Sequence, residues 1–256
     1  MSNEIWVAFF FIFGAIWGSF ANVIIYRLPL EKSVIKPRSQ CPQCNKTIAW
    51  YYNIPILSWI FLRGKCAYCK TKISWRYPIV ELIMGLSFAY LFHVYGFSFF
   101  LIEYLIFAFG IITASFIDLD HMILPDEFTL SGIVLGLVGA FLNPDRSIVD
   151  AAIGVLVGGG FLFAMAYSYY ILRKAEGMGG GDIKLLAWIG AVCGWKAIPF
   201  VIISSSFLGI FFGVFYMIQS KEGLKTGIPF GPYLSMGALI YIMFDMDRVM
   251  YFLFPI

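Results

Sequence analysis

The chain is organised as long apolar runs separated by short polar segments. Eight such runs are present, and none alternates between apolar and polar residues with a period of two, so they predict helices and not strands. Their limits are 5–26, 77–95, 98–117, 128–142, 150–171, 183–195, 197–219 and 231–254. Because a helix needs ~20 residues to cross a bilayer, the fourth and sixth runs are expected to be tilted, re-entrant or buried among their neighbours.

The composition indicates an integral membrane protein. Of the 256 residues, 61% are hydrophobic and only 13% are charged. Soluble domains are roughly one-quarter charged, so this composition excludes an ordinary soluble protein. In lipid the backbone polar groups must be satisfied internally, which continuous apolar runs achieve as helices. We therefore predict an all-α polytopic membrane protein with about eight transmembrane helices. The first run has no basic residues before it and no clear cleavage site, which predicts a retained helix.

Glycines spaced four residues apart lie in two of the apolar runs. They are Gly14 with Gly18 in the first run and Gly154 with Gly158 in the fifth. Small residues at this spacing let the backbones of membrane helices approach each other. Both pairs therefore predict close helix packing.

The distribution of basic residues predicts the orientation of the chain. The segment from Arg27 to Arg76 contains ten Lys and Arg residues and a single acid, Glu31. Because positively charged loops stay in the cytoplasm, we expect this loop inside and the N-terminus outside. Eight crossings then place fifteen of the 18 basic residues inside. This topology accounts for the net charge of +3 without a nucleic-acid partner, and it favours contact with anionic membrane lipid.

The cytoplasmic loop carries two C-x2-C pairs, Cys41 with Cys44 and Cys66 with Cys69, with twenty-one residues between the pairs. Four thiolates suit one tetrahedral zinc ion and leave no open position for water, so the predicted role is structural. Two disulfides or four free thiols are the alternatives, and a reducing cytoplasm argues against disulfides. We expect a small zinc-ribbon-like domain, because metal binding compensates for the small core of such a loop.

Two aspartates lie where apolar runs meet polar sequence. Asp118 follows the third run and Asp182 precedes the sixth. A carboxylate at a hydrocarbon boundary is costly, which makes both acids candidate functional groups. The predicted topology puts both on the cytoplasmic side, where they can form one site. Asp120 and Asp126 are alternatives to Asp118, but Asp120 would face another side of the helix and Asp126 is expected to be the N-cap of the fourth helix.

Four glycines crowd the residues before Asp182. They are Gly177, Gly179, Gly180 and Gly181. Glycine lets the backbone reach positive φ and lets a substrate strand approach closely. A helix C-cap followed by a flexible connector is the alternative, but that role needs one or two glycines and not four. We interpret Gly179, Gly180 and Gly181 as an active-site loop.

Paired carboxylates support a hydrolytic mechanism. Two neighbouring carboxyl groups cannot both ionise easily, so they share a proton. The ionised group then acts as general base on a water, and the protonated group donates a hydrogen bond to the scissile carbonyl. Such a site uses water as its nucleophile and forms no covalent intermediate.

Several motifs, taken in order, match one family. They are G-S-F-A-N-V-I-I-Y-R-L-P (18–29), the double C-x2-C, N-I-P-I-L-S-W (53–59), R-G-K-C-A-Y-C (63–69), W-R-Y-P-I-V-E (75–81), I-D-L-D-H-M-I-L-P-D (117–126) and G-M-G-G-G-D-I-K-L-L-A (177–187). The chain resembles the type IV prepilin peptidases, which are G-x-G-D membrane aspartyl proteases, over nearly its full length. The family's two catalytic aspartates fall on Asp118 and Asp182. The family often has a bulky residue at the position of Gly180, a difference expected to change loop flexibility and not chemistry.

The resemblance implies two activities in the bacterial inner membrane. One cleaves the basic leader of prepilins or pseudopilins on the cytoplasmic side, just before their apolar helix. The other methylates the new N-terminal residue with S-adenosylmethionine. It also implies three domains: a first transmembrane helix (1–26), a zinc-binding loop domain associated with methyl transfer (27–76) and a transmembrane aspartyl protease domain (77–256).

The methyl-transfer site is expected in the N-terminal half of the chain. No G-x-G-x-x-G opens a helix after a strand, so no Rossmann site for S-adenosylmethionine is predicted. The candidate cofactor-binding residues are Asn22, Tyr26, Arg27, Arg76 and Glu81. Glu81 lies inside the second run, where an acid is costly, so it would hold the substrate amine or pair with Arg76.

Two other functions stay open at this point. The first is a peptidase without methyltransferase activity, in which the loop only docks the substrate. The second is a transporter or channel whose aspartates bind cations and whose zinc-ribbon domain regulates it. Label from S-adenosylmethionine on the mature N-terminus excludes the first, and ion flux without proteolysis would establish the second.

Overall fold

A computed structural model describes residues 3–175, 177–219 and 229–246. These residues form nine α-helices, which are α1 (Asn3–Arg27), α2 (Leu57–Phe61), α3 (Arg76–Tyr95), α4 (Phe99–His121), α5 (Asp126–Leu142), α6 (Ile148–Arg173), α7 (Gly180–Cys193), α8 (Ala197–Gln219) and α9 (Gly231–Met243). The chain divides into two compact units, Met1–Leu101 and Ile102–Ile256. The helix α3, which the sequence-based division places with the protease domain, belongs to the first unit.

In the first unit, α1 packs closely against α3. A Cβ atom on Gly14 would lie 2.6 Å from the carbonyl oxygen of Met84, and one on Gly18 would lie 2.7 Å from the Cα of Glu81. The predicted packing role of this glycine pair is therefore confirmed, because any side chain there would force the helices apart.

The loop between α1 and α3 contains little regular structure. It has two short 3-10 turns, Leu28–Leu30 and Trp50–Tyr52, and the single-turn helix α2. Two isolated antiparallel bridges, Gln40 with Thr47 and Lys65 with Lys72, close one small turn each. Each turn contains one of the C-x2-C pairs, so the two halves of the predicted metal site share one local fold.

The second unit is built around α7. Its residues from Leu185 to Cys193 are all buried, and its neighbours include α5, α6, α8 and α9. A Cβ atom on Gly158 would lie 2.5 Å from the carbonyl oxygen of Leu186, which confirms close packing at the second glycine pair. The short sixth apolar run therefore forms a helix that is buried among other helices. This is one of the three arrangements that its length left open.

Each predicted apolar run contains a helix of the described structure. Four helical segments of the described residues are long and apolar enough to cross a membrane: Asn3–Leu30, Arg76–Tyr95, Phe99–His121 and Ile148–Arg173. Ala197–Gly213 and Gly231–Met243 are shorter apolar helices. The last run was predicted to continue to residue 254, but α9 ends at Met243 with Phe244 as its C-cap, and the residues after 246 lie outside the described ones. The prediction of an all-α polytopic membrane protein is confirmed.

Candidate active site and metal centre

The last turn of α4 places Asp118 inside the second unit. The helix ends when Met122, at φ 54°, donates its backbone N–H to the carbonyl of Asp118 at 2.8 Å. The Asp118 side chain is only 5% exposed. It lies against the first turn of α9, where a Cβ on Gly231 would be 2.7 Å from Oδ2 and the Gly231 backbone N–H lies beside the carboxylate.

The first turn of α7 supplies Asp182. Gly179 is the N-cap of this helix, and the Asp182 backbone N–H donates to its carbonyl at 3.2 Å. An acid in the first turn interacts favourably with the helix dipole, so this sequence is suited to begin a helix here. The Asp118 carboxylate acts electrostatically on Asp182, so the two predicted catalytic acids lie within range of each other's charge.

Leu124 connects the elements that carry the two acids. It follows α4 and is 9% exposed. A Cβ on Gly181 would lie 2.8 Å from the Leu124 Cβ, and one on Gly231 would lie 3.1 Å from its Cδ1. The first turns of α7 and α9 therefore both contact the segment that follows Asp118. Two glycines allow this approach, because an added methyl group at either would collide with a neighbour.

Each acid keeps one carboxylate oxygen available for chemistry. Among the described residues, Oδ2 of Asp118 and Oδ1 of Asp182 are buried and have no hydrogen-bond partner. Buried polar atoms are nearly always satisfied, so two unsatisfied carboxylate oxygens at one place are unusual. Such groups are suited to bind a substrate carbonyl or a water between them.

The neighbouring acids have other roles. Asp126 is not the N-cap of α5: the cap is Pro125, which makes no side-chain cap hydrogen bond, so that prediction was wrong. The Asp126 carboxylate instead accepts a 2.6 Å hydrogen bond from Lys184 Nζ near the start of α7. A charge-assisted bond is stronger than a bond to a neutral backbone group, which explains the preference. Asp120 is exposed at the end of α4.

The four cysteines of the first unit form one cluster. Their sulfur atoms all lie within 4.8 Å of one another, and those of Cys41 and Cys69 are 3.7 Å apart. Zinc–sulfur bonds of about 2.3 Å in a tetrahedron imply sulfur separations of about 3.8 Å, so this donor set fits one zinc ion. All five cysteines are free in this structure, and one cluster of four sulfur atoms fits a single metal ion better than two separate disulfides.

The two cysteine turns repeat the same hydrogen bonds. Cys41 N–H donates to the Lys46 carbonyl at 3.1 Å, and Cys66 N–H donates to the Thr71 carbonyl at 2.8 Å. The Thr71 side chain, 3.3 Å from the Cys69 sulfur, and then its backbone N–H lower the pKa of the Cys69 thiol to about 6. The thiolate is the form that binds metal, so these hydrogen bonds favour the metal-binding form of Cys69. The pKa of the Cys44 thiol is instead raised to about 11: the Lys46 backbone N–H lowers it, but burial and the neighbouring thiols raise it by more.

The residues predicted for cofactor binding separate into two groups. Arg27 is engaged with the loop, since its guanidinium donates to the carbonyls of Ser33, Pro37 and Arg38. Tyr26 is exposed and lies beneath the Lys32 ammonium. These two side chains order the start of the loop that follows α1.

The second group lies between α1 and α3. Asn22 is 2% exposed and donates to the carbonyls of Gly18 and Tyr77. Glu81 is 7% exposed and accepts the Ile56 backbone N–H at 2.7 Å. Arg76 begins α3 and lies over the Tyr77 ring. Asn22 and Glu81 are therefore buried polar groups of one helix pair, the kind of group that membrane proteins keep for function.

Gly231 and Leu124 are site residues that the sequence analysis missed. Gly231 is separated from Asp118 by most of the second unit, so no local spacing connects them. The Gly231–Pro232 pair at the start of the last apolar run was the available signal, since Pro is favoured in the first turn of a helix. Leu124 carried no signal, because an apolar residue beside apolar runs is ordinary.

The fold and the site together define a class of protein. It is a multi-pass helical membrane protein with a buried carboxylate at the end of one helix and a half-buried carboxylate at the start of another, the arrangement by which aspartyl proteases share a proton. Two family models match the chain: the Bacterial Peptidase A24 N-terminal domain over residues 12–95 and the Type IV leader peptidase family over residues 105–214.

Curated relatives match nearly the whole chain. A prepilin leader peptidase/N-methyltransferase of Aeromonas hydrophila is 35% identical over 261 residues, with 91% of this chain and 89% of the relative covered. One of Stutzerimonas stutzeri is 36% identical and covers 91% and 88%. A type 4 prepilin-like proteins leader peptide-processing enzyme of Escherichia coli O78:H11 is 37% identical, with 90% of each chain covered. No solved structure matches. The chain belongs to the type IV leader peptidase family.

Proposed function

We propose that this protein cleaves the leader peptide of prepilins or pseudopilins and methylates the new N-terminal residue with S-adenosylmethionine. The observation that carries the peptidase half is the pair of carboxylates, Asp118 and Asp182, each with a buried oxygen that lacks a partner among the described residues. The relatives named for these two activities cover this chain almost completely, which supports both halves.

The two carboxyl groups share one proton in the resting site. The ionised group takes a proton from a water, and the hydroxide attacks the scissile carbonyl. The protonated group donates a hydrogen bond to the carbonyl oxygen while the tetrahedral intermediate forms. Its collapse breaks the C–N bond and transfers a proton to the leaving amine, which becomes the N-terminus of the mature product.

The geometry before Asp182 suits an extended peptide substrate. Among the atoms of the described residues, a Cβ placed on Gly180 would meet none within 4 Å, and one placed on Gly179 would meet none closer than 3.9 Å. The surface before α7 is thus open, whereas the far side of the turn is closed by Leu124. A substrate strand can approach the open side at backbone distance, which is the advantage of glycine at such a site.

The metal has a structural role in this proposal. Cys41, Cys44, Cys66 and Cys69 hold one zinc ion, whose four thiolate bonds fold a loop that has few buried apolar residues of its own. The chemistry of hydrolysis stays with the aspartates. The methyl donor supplies an electrophilic methyl group, and the buried polar residues Asn22 and Glu81 are the side chains proposed to orient the reacting amine and the donor.

The proposed topology has the N-terminus outside and both the cysteine loop and the aspartates at the cytoplasmic face of the bacterial inner membrane. The meeting of Asp118 and Asp182 supports it, since a third and a sixth crossing place these acids on one side. Membrane lipid surrounds the apolar helices, and no nucleic acid takes part.

The test uses full-length protein in detergent with a purified prepilin and labelled S-adenosylmethionine. Asp118→Asn and Asp182→Asn are each expected to abolish leader cleavage measured by mass spectrometry, while Asp120→Asn, a matched change on the same helix, retains it. Label on the mature N-terminus establishes the methyltransferase half. Cleavage that survives both catalytic changes would refute the assignment, and cation flux without cleavage would establish a channel.

A further inference from the structure

One arginine of the second unit bonds to both helices that carry the paired aspartates, at the ends of those helices opposite the aspartates. The Arg146 guanidinium donates through Nη1 to the Glu103 carboxylate, near the start of α4. Through Nη2 it donates at 2.7 Å to the backbone carbonyl of Ala191, in the last turn of α7. The Arg146 and Glu103 side chains are only 9% and 10% exposed. A buried guanidinium therefore bridges α4 and α7.

The turn that follows α5 directs Arg146 to this position. Asn143, the C-cap of α5, donates its backbone N–H to the Gly139 carbonyl at 2.9 Å and accepts the Arg146 backbone N–H at 3.1 Å. Its side-chain Oδ1 accepts the Asp145 backbone N–H, also at 3.1 Å. Gly139 leaves room for the acid, since a Cβ there would lie 2.7 Å from Glu103 Oε1. The end of α5 thus fixes the backbone from which the bridge extends.

The net stability of the bridge does not explain why charged groups form it. The last carbonyls of a helix lack intrahelical partners, and a cation near them interacts favourably with the helix dipole, so Arg146 suits the end of α7. A buried ion pair, however, is often no more stabilising than apolar residues of the same volume, and its best-attested use is to fix the register of packed elements. Glu103 also lies within the candidate span Phe99–His121, where ionisable side chains are costly and are kept for function.

The two bridged helices connect this bridge to the aspartates. Asp118 follows Glu103 by fifteen residues, which is about 22 Å along α4 and within about 60° around its axis. Asp182 precedes Ala191 by nine residues, about 13 Å along α7. Helices transmit displacement as rigid elements over such lengths. Sliding of α7 along α4 at the bridged end would therefore move Asp182 relative to Asp118 at the other end.

We propose that Arg146 is a positioning residue that fixes the register of α4 on α7. This register in turn fixes the separation of the Asp118 and Asp182 carboxylates. The inference rests on the proposed function, because it takes these two acids as the catalytic pair. Arg146 touches neither the substrate nor the reacting atoms, and the open glycine surface proposed to receive the substrate lies at the other end of α7. Loss of the bridge therefore lowers kcat and leaves KM unchanged.

The test separates the bridge from the charges that form it. Glu103→Gln keeps an oxygen that accepts from Arg146, and its NH2 replaces Oε2, which has no partner among the described residues. This variant keeps the bridge but leaves a buried cation without its counter-ion, so its Tm should fall. Glu103→Gln combined with Arg146→Met removes the bridge and leaves no buried charge, so its Tm should exceed that of Glu103→Gln. Asp145→Asn changes an exposed acid of the same turn and is the matched control.

The first measurement is kcat and KM for prepilin cleavage by full-length protein in detergent, with Tm for each variant. Glu103→Gln should keep kcat within about threefold of the parent, whereas the double variant should lose about tenfold or more, because misplacement by about 1 Å costs about 100-fold. KM should stay within about threefold in both. Asp145→Asn should match the parent in kcat and Tm. An ion pair with a merely structural role makes kcat follow Tm. That order, or a double variant as fast as the parent, would overturn the proposal.

The second measurement needs no substrate. Hydrogen–deuterium exchange of the backbone amides in the segment 180–186 reports local opening at the start of α7. Exchange there should be about tenfold faster in the double variant and unchanged in Glu103→Gln. Equal exchange in the parent and the double variant would contradict the bridge even if prepilin is cleaved normally. A parent protein that cleaves no prepilin would contradict the proposed function, and the exchange rates would still decide whether the bridge holds α7.

Discussion

Gly181→Ala tests whether the turn before Asp182 is fixed by packing. Its Cβ would lie 2.8 Å from the Leu124 Cβ, whereas non-bonded carbon atoms pack best at about 3.5–4.0 Å. One element must therefore move by about 1 Å, and the next residue in the chain is Asp182. Misplacement of reacting groups by about 1 Å costs about 100-fold in rate, which corresponds to about 2.7 kcal/mol in the activation free energy.

Gly180→Ala is the matched control. The two glycines are adjacent in the first turn of α7, so both changes gain the same helix preference of alanine, up to about 1 kcal/mol. Among the described residues, Gly180 has nothing within 4 Å of a new Cβ. This variant is therefore expected to keep its kcat and to gain slightly in stability, whereas its methyl group, on the open side offered to the substrate, is expected to raise KM. Leu124→Ala should not rescue Gly181→Ala, because the collision is with the Cβ that alanine retains.

The assay measures kcat and KM separately for leader cleavage by full-length protein in detergent, followed by mass spectrometry, with thermal unfolding measured for each variant. Gly181→Ala should lose about 100-fold in kcat while the kcat of Gly180→Ala stays within about threefold of the parent. Equal losses of kcat in both variants, or none in Gly181→Ala, would contradict the geometry of this turn.

Three other predictions address the scaffold. Cys69→Ser should reduce the zinc content of purified protein well below one ion per chain, measured by inductively coupled plasma mass spectrometry. Cys193→Ser, the control, changes a buried helix residue outside the cluster and should leave the zinc content unchanged. Arg146→Met leaves the buried Glu103 carboxylate without its ion pair and should cost about 3–5 kcal/mol of unfolding free energy, seen in thermal unfolding; replacing both partners by neutral residues should cost less. Gly154→Ala should lower the yield of folded protein, because its Cβ would enter the backbone of α7.

Each of these predictions has a result that contradicts it. Full zinc occupancy in Cys69→Ser would show that the cysteine cluster is not the metal site. Equal destabilisation of the single Arg146 variant and the double variant would show that the unpaired carboxylate is not the cause. For the helix packing, Gly160→Ala on the same helix is the control, since no atom of the described residues lies within 4 Å of a new Cβ on that glycine. Equal folding of both glycine variants would refute close packing at Gly154.

Features that depend on neighbouring residues in the chain could be predicted from the sequence. The apolar runs predicted helices because their length and continuity are local properties, and the spacing of the cysteines predicted one cluster because a C-x2-C turn closes on itself. The positions of Asp118 and Asp182 at the ends of runs also followed from local context, together with an argument about topology.

Contacts between distant elements could not be predicted in this way. The sequence offered four similar glycines before Asp182, and only the position of Leu124 distinguishes the crowded Gly181 from the open Gly180. Asp126 had the sequence context of an N-cap, but the start of α7 brings Lys184 within bonding distance. No sequence pattern predicted that Gly231 lies beside Asp118.

The sequence by itself determined that this protein is a helical membrane protein with a four-cysteine loop and two acids at helix ends. Periodicity, charge and short spacings are written along the chain and are independent of how the helices are arranged. The tertiary structure decided which carboxylate oxygens lack a hydrogen-bond partner and which glycines leave no room for a side chain. It also decided that the Glu81 carboxylate accepts the Ile56 backbone N–H. These features depend on differences of a few tenths of an ångström in the distances between side chains that are far apart in sequence. Only the packed helices define those distances.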